Sequence, residues 1–443
     1  MICPLAMNQD QSTRLEAVEL LVAYEESSVS MKALLRELQT ASIDSPDSLV
    51  QTQSLVLSVV RFRNTIDFVL SRSLRKKKSQ DLSPHDRNLL RAAVFEAKWL
   101  QIDIPKVHSL YPQIESNYEK DLQRAIEFNL DSAIGRMPQV NRLSLKHSHP
   151  TFLVKTLLDN LSLDESVQLM IANNQKRTYY VRPNRLLDTS DSVFESLEDV
   201  KIVRDPEVLG IYQLIDGVDS VVRSQAFKDG KIIIQDKASV LTVESLDPKP
   251  GQKIWDTCAA PGMKTQLIAE RMLGQGQIIA SDVYEDRVKI GKKLSSRLNA
   301  SHIEWIHADA TVPIVHDADK ILIDAPCTST GILQAYPSFK WRLNKDTLFA
   351  LMTIQNKILD AVISGYFNKP DTEIVFSTCS ILPHEGESQI DSAMKRHDIE
   401  LLEPVDYGDP GYSGFKCSPY VRRLFPHKHY CSGFFIARFK IKQ

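Results

Sequence analysis

Two short segments in the last third of the chain hold the residue types of nucleophilic chemistry: Asp324-Ala325-Pro326-Cys327-Thr328 and Ser377-Thr378-Cys379-Ser380. A lone buried cysteine is usually a small hydrophobe, but two thiols and a carboxylate brought to one place form a candidate reaction centre. The reaction that asks for such a set is attack on a pyrimidine. Carbon 5 of cytosine is a poor nucleophile until a thiolate adds at carbon 6, and a carboxyl held protonated, as expected of Asp324, would favour that addition by donating to ring N3. A base must later take the carbon-5 proton so that the adduct can break, which occupies the second thiol. Spacing alone leaves the two cysteines interchangeable. A free thiol has a pKa near 8.5, so the attacker is the one whose thiolate local donors stabilise. Cys379 precedes a helix predicted to begin around His384, whereas Cys327 follows Pro326, which has no N–H to donate. Attack is therefore expected from Cys379 and release from Cys327.

A second group of residues suits a cofactor. A strand ending in Asp256 runs into Cys258-Ala259-Ala260-Pro261-Gly262-Met263-Lys264 and then a helix beginning near Thr265, and such small residues let backbone N–H groups approach a ligand closely. Asp282 ends the next strand, 20 residues after Gly262, the offset at which nucleotide-binding folds offer a carboxylate to ribose hydroxyls. Asp309 and Asp324 follow the third and fourth strands. Any one of these aspartates is equally well explained as a helix cap. Together, four acidic strand ends repel a pyrophosphate and suit the sulfonium and ammonium of S-adenosylmethionine. Gly274 to Gly276 precedes a strand and lacks a third glycine, so it reads as a turn.

These residues need a frame. Apolar strands at Lys253 to Asp256, Gln277 to Asp282, His302 to His307, Lys320 to Asp324 and Glu373 to Phe376 alternate with helical stretches, the pattern of a doubly wound α/β sheet of the class I Rossmann-like type. In strand order 3-2-1-4-5 the fourth and fifth strands are neighbours about 4.8 Å apart, opening on the cofactor's edge. Before residue 140 the only glycine is Gly135, and apolar residues recur at helical spacing, as in Leu55, Val59, Phe62, Ile66 and Val69. Ser83-Pro84 with Asp86, and Ser45-Pro46-Asp47, are helix starts. Between lie predicted helices at Thr151 to Leu161 and Asp164 to Asn174 and a β-rich piece, Thr178 to Arg182. The expected organisation is an all-helical domain over 1–145, a small α+β domain of RRM-like type over 146–228, and the α/β domain over 229–443.

Hydrophobic residues at 43% and charged residues at 25% of 443 fit a globular protein, and a net charge of −2 leaves any nucleic acid to local patches such as Arg72 to Lys78. The six cysteines have neither disulfide-framework nor CxxC spacing, so free thiols and no metal site are expected. Met1 to Met7 is too short for a secretory core, and no stretch reaches the roughly 18 apolar residues of a membrane span. The expectation is a cytoplasmic protein with no membrane association.

From Gln235-Asp236 to Gly433-Phe434-Phe435 the chain resembles the Nol/Nop/Sun family of RNA cytosine-5 methyltransferases. DTCAAPGMKT at 256–265 resembles its cofactor loop, DAPCTSTG at 324–331 its proline-cysteine motif, and STCSILPHEGE at 377–387 its nucleophile motif. The resemblance implies Cys379 as nucleophile, Cys327 as the residue assisting release, and S-adenosylmethionine held by residues 258–264, Asp282, Asp309 and Asp324. Met263 stands where the family has a second glycine, so a reshaped loop is expected. Tyr336 to Trp341 is similar to a family segment that is either a packed loop or an RNA contact. Val59 to Arg63 and Leu82 to Leu100 resemble the NusB-like RNA-binding domain of the Sun/Fmu branch, which implies a ribosomal RNA substrate over transfer RNA; no obligate protein partner is evident in the sequence. A non-catalytic assembly factor would have no need of both cysteines, a dehydrogenase would need GxGxxG after its first strand, and a DNA cytosine methyltransferase takes its nucleophile from the proline-cysteine motif.

Overall fold

The computed structural model describes residues 4–27, 29–41, 46–75, 78–187 and 190–442. Cys3, Ser45 and two members of the basic run, Lys76 and Lys77, lie outside the described residues. The chain forms two compact units, residues 1–174 with 335–342, and residues 175–334 with 343–443.

The first unit is helical, because the apolar residues of its long helices return every three or four positions. Val56, Val59, Val60, Ile66 and Val69 of the helix Pro46–Ser73 bury against Leu89, Leu90, Ala93 and Val94 of Pro84–Trp99. The second of these helices starts as expected: the Ser83 hydroxyl accepts from the Asp86 N–H at 3.0 Å, with Pro84 in the first turn. The expected helices near 151 and 164 are Thr151–Asn160 and Leu163–Asn173, and both belong to this unit, so the units part after Asn174 and not at the expected 145. Residues 335–342 pack here as well. The fully buried Lys340 ammonium donates to Arg61 O at 3.2 Å, Ser148 O at 2.9 Å and Asn174 Oδ1 at 2.6 Å, and the Trp341 indole N–H donates to Val60 O at 2.7 Å. Of the two readings of that segment, the structure realises the packed loop; burial holds the Lys340 pKa well below that of an ordinary lysine.

The second unit opens with a four-stranded antiparallel sheet, in the order β2 (Lys201–Arg204), β3 (Tyr212–Asp216), β1 (Tyr179–Pro183), β4 (Ile232–Ile234). Its main sheet has eight strands. β7 (Glu304–His307), β6 (Gln277–Asp282), β5 (Lys253–Asp256), β8 (Lys320–Asp324) and β9 (Glu373–Thr378) are parallel neighbours in that order. β12 (Phe434–Ile441) then pairs antiparallel with β9, and with β10 (Ile399–Leu402) and β11 (Val421–Leu424). The parallel strands are apolar on both faces because helices cover both. Alternate residues go to different cores: Ile254, Leu322 and Val375 to one, Trp255, Ile321, Ile323 and Phe376 to the other. The third strand begins two residues later than expected and the fifth ends two residues later, so β9 stops immediately before Cys379. Among the described residues no helix is long and apolar enough to cross a membrane.

Candidate active site

The register of the two central strands sets the site. β8 and β9 run parallel with Asp324 opposite Ser377, so Cys327 and Cys379 leave the same edge of the sheet. Their sulfurs are 3.3 Å apart. The loops beyond them cross closely: Gly331 N–H donates to Cys379 O at 2.9 Å, and Gly433 N–H to Gly331 O at 2.8 Å. A side chain at Gly331 would put its Cβ 1.8 Å from Gly433 O, so this crossing needs glycine for space.

The shared proton of this thiol pair has a preferred owner. The hydrogen bond from Cys327 lowers the Cys379 pKa against the effect of burial, and the Ser329 hydroxyl at 3.6 Å and the Lys264 cation lower it further, while Asp324 acts the other way. The same hydrogen bond, burial and the negative charges of Cys379 and Glu385 push Cys327 well up. Of the two thiols, Cys379 is therefore the more readily ionised and Cys327 the less. The expected helix start near His384 does not supply this: residues Pro383–Glu385 form a single 3-10 turn and the helix runs Glu387–Arg396. Side chains, not a helix N-terminus, favour the Cys379 thiolate.

Asp324 is met by the Lys264 ammonium at 2.6 Å and by the Ser377 hydroxyl at 2.8 Å. Both donate, so its partners are those of a carboxylate and not of the protonated carboxyl expected there. Burial opposes the Lys264 charge, but Asp324 holds the Lys264 pKa above its ordinary value.

Beside this pair lies a cavity of about 210 Å³, lined by residues 258–261, Met263 and Lys264 of the loop and by Asp256, Asp324 and Ser239. Gly262 caps the helix Met263–Arg271 with φ +106°, a conformation that favours glycine, and a Cβ there would also meet the Trp305 ring at 2.9 Å. Met263 is the first helical residue and needs no such freedom. Asp256 is fully buried. The Thr265 hydroxyl donates to its Oδ2 at 2.7 Å, and among the described residues its Oδ1 has no partner. Burial lifts its carboxyl to about 7 against the Thr265 hydrogen bond, with the Asp324 and Asp282 charges adding to the rise. The Cys258 thiol is likewise pushed up to about 12 by burial.

Asp282 and Asp309 do not line the cavity. Asp282 is 2% exposed and accepts from Ala260 N–H at 3.2 Å and Tyr284 N–H at 3.1 Å, with Arg287 at 3.2 Å, so it holds the loop in place. Asp309 is exposed and accepts from Thr311 N–H in a turn. A larger cavity of about 550 Å³ near Arg182, Glu207 and Tyr407 contains none of the expected site residues, and in its lining Arg182 pairs with Glu270 and Arg271 with Glu244.

Sequence reasoning missed the supports. The Gln355 amide donates to Pro326 O at 2.8 Å and to the buried Glu385 at 3.2 Å. Arg423 and Glu387, 1% and 0% exposed in their side chains, form a buried ion pair, and the guanidinium also donates to Ser380 O at 2.9 Å and Leu382 O at 3.2 Å, just beyond Cys379. The signal for Arg423 was a charge between Val421 and Leu424 at a position that the strand alternation buries.

Comparison with known proteins places this geometry. Residues 243–440 match the family model described as 16S rRNA methyltransferase RsmB/F, and residues 11–128 match the NusB family model. The probable ribosomal RNA small subunit methyltransferase B of Synechocystis sp. is 27% identical over 430 residues, covering 92% of this chain and 94% of the relative. The ribosomal RNA small subunit methyltransferase B of Serratia proteamaculans is 31% identical over 339 residues, covering 75% of this chain and 72% of the relative. The crystal structure of PH0851 is similar with a TM-score of 0.77 and 26% identity, over 97% of this chain and 98% of that one.

Proposed function

From the premise that the chain belongs to the RsmB/F methyltransferase family and is an RNA cytosine-5 methyltransferase, we propose that it methylates small-subunit ribosomal RNA through a covalent Cys379 adduct resolved by Cys327. The observation that carries this reading is the 3.3 Å pair of sulfurs with the thiolate favoured on Cys379.

The Cys379 thiolate adds its electron pair to carbon 6 of the cytosine, and the former double-bond pair moves onto carbon 5. Asp324, paired with Lys264, lies at the edge of the same cavity and orients the ring. S-adenosylmethionine, when bound, supplies the methyl group that carbon 5 accepts. Residues 258–264 would hold it, with Asp282 fixing the loop. The fit rests on Asp256, whose buried Oδ1, without a partner among the described residues, borders the cavity and suits a cationic group.

Release is governed by the electrostatics of the pair. Once Cys379 is alkylated its charge is gone, and with it the strongest influence holding the proton on Cys327. Cys327 then loses that proton to solvent and takes the one on carbon 5. The electrons of the C–H bond restore the ring double bond as the sulfur–carbon bond breaks, returning the thiolate to Cys379. RNA binding by the helical unit and a cytoplasmic location belong to the same proposal.

The test is adduct trapping on purified small-subunit ribosomal RNA, with bisulfite sequencing of RNA from a strain lacking the gene to find the cytosine. Cys379→Ala should abolish both methylation and adduct, and Cys327→Ala should accumulate an RNA–protein adduct stable to denaturing electrophoresis. An adduct from Cys379→Ala would exchange the roles, and no adduct from either would overturn the covalent mechanism.

A further inference from the structure

Two thiols 3.3 Å apart need something that decides, before substrate arrives, which keeps the proton. Glu385 is placed for that task. Its side chain is fully buried. Its carboxylate accepts from Thr328 N–H at 2.8 Å and from the Thr328 hydroxyl, immediately after Cys327, while its own carbonyl accepts from the Thr378 hydroxyl at 3.0 Å, immediately before Cys379. One residue therefore ties the two cysteine loops together.

Its charge is also unusual. The partners of the Glu385 carboxylate are neutral donors, the Thr328 amide and hydroxyl and the Gln355 amide, and among the described residues no lysine or arginine pairs with it. Glu387, two residues on, is neutralised by Arg423. A buried carboxylate without a counter-charge is expensive, and its retention calls for a use.

We propose that Glu385 is a positioning residue that makes Cys379 the nucleophile and Cys327 the proton holder, by clamping the two loops and by putting its negative charge on the Cys327 side of the pair. The surrounding charges pull both ways on Cys379 but only one way on Cys327. Lys264 favours a thiolate on Cys379 and Asp324 opposes it, whereas Glu385 opposes a thiolate on Cys327; the neighbouring ring of His384 is kept neutral by burial, which lowers its pKa. The inference rests on the assignment of roles above, but it concerns the resting enzyme and needs no RNA.

The experiment is competitive alkylation of the full-length protein by iodoacetamide between pH 6.5 and 9, with each cysteine quantified by mass spectrometry. In the unaltered protein Cys379 should label near neutral pH and Cys327 only at clearly higher pH. Glu385→Gln keeps an acceptor for Thr328 N–H but removes the charge. It should lower the ratio of Cys379 to Cys327 labelling roughly tenfold, the equivalent of one pKa unit. Glu385→Asp, which keeps the charge, should retain the Cys379 preference. An unchanged ratio in folded Glu385→Gln, or the same loss in both variants, would overturn the role of the charge. If Glu385→Gln does not fold, the unaltered protein still decides, because equal labelling of the two thiols across the pH range refutes the proposal. Failure here leaves the adduct-trapping outcome untouched, so the two readings fall separately.

Discussion

Replacing Arg423 by methionine tests whether the nucleophile's loop is held by a buried charge. The guanidinium donates from Nε to Glu387 Oε1 at 2.7 Å, from Nη2 to Glu387 Oε2, from Nη1 to Ser380 O and from Nη2 to Leu382 O. Arg423→Met leaves the Glu387 carboxylate, 0% exposed, with the Tyr412 N–H at 2.8 Å as its remaining donor among the described contacts, and takes the donors from two carbonyls. Breaking a buried ion pair by removing one partner costs about 3–5 kcal/mol. At roughly 2–4 °C per kcal/mol for a domain of 150–250 residues, the melting temperature of the second unit should fall by about 6–20 °C in scanning calorimetry. The double variant Arg423→Met with Glu387→Leu removes the orphaned charge and should regain most of that loss, since apolar replacement of a whole buried pair is often neutral. Adduct formation should stay impaired in both, because Ser380 and Leu382 lose their anchor. A shift below about 2 °C in the single variant, or a double variant no better than the single, would refute the reasoning.

The same geometry dictates other outcomes. Asp256 has a folded-state pKa raised by burial to about 7, so its contribution to stability is complete below the ordinary carboxylate range and is lost as pH rises through about 7. A cationic ligand group beside it reverses this preference, so S-adenosylmethionine binding monitored by calorimetry should strengthen with rising pH across that window and release a proton; Asp256→Asn should flatten the profile, and an unchanged profile would remove Asp256 from the cofactor site. Asp282→Ala should weaken cofactor binding by about 1.5–3 kcal/mol, the scale of a hydrogen bond to a charged group, because Ala260 N–H loses its acceptor; an equal dissociation constant would return Asp282 to a purely local cap. Gly331→Ala should cost about 1–3 kcal/mol in a chemical denaturation curve and depress methylation, since its Cβ would overlap Gly433 O. Native stability in that variant would show that the crossing loops yield.

Whatever depends on neighbours in sequence could be read from the chain alone. Strand and helix periods, the Ser83 cap, the small-residue loop at 258–264 and the arrival of two cysteines at adjacent strand ends are set by local spacing and by the strand order that a doubly wound sheet imposes. The tertiary structure decided what depends on side chains meeting across long separations. Glu387 and Arg423 meet only because β11 pairs with β12 beside β9. Lys340 and Trp341 read as part of the α/β domain by sequence position, yet their hydrogen bonds are to residues 60–174. Asp282 and Asp309 occupy equivalent strand ends in the pattern, but one is engaged by two backbone N–H groups and the other turns out to solvent. The choice between the two thiols turned on the same distinction. A helix start after Cys379 was the local argument for its thiolate, and the fold instead supplies Cys327, Ser329 and Lys264, brought to it from distant loops, because a charge responds to the groups around it in space and not to the residues next to it in the chain.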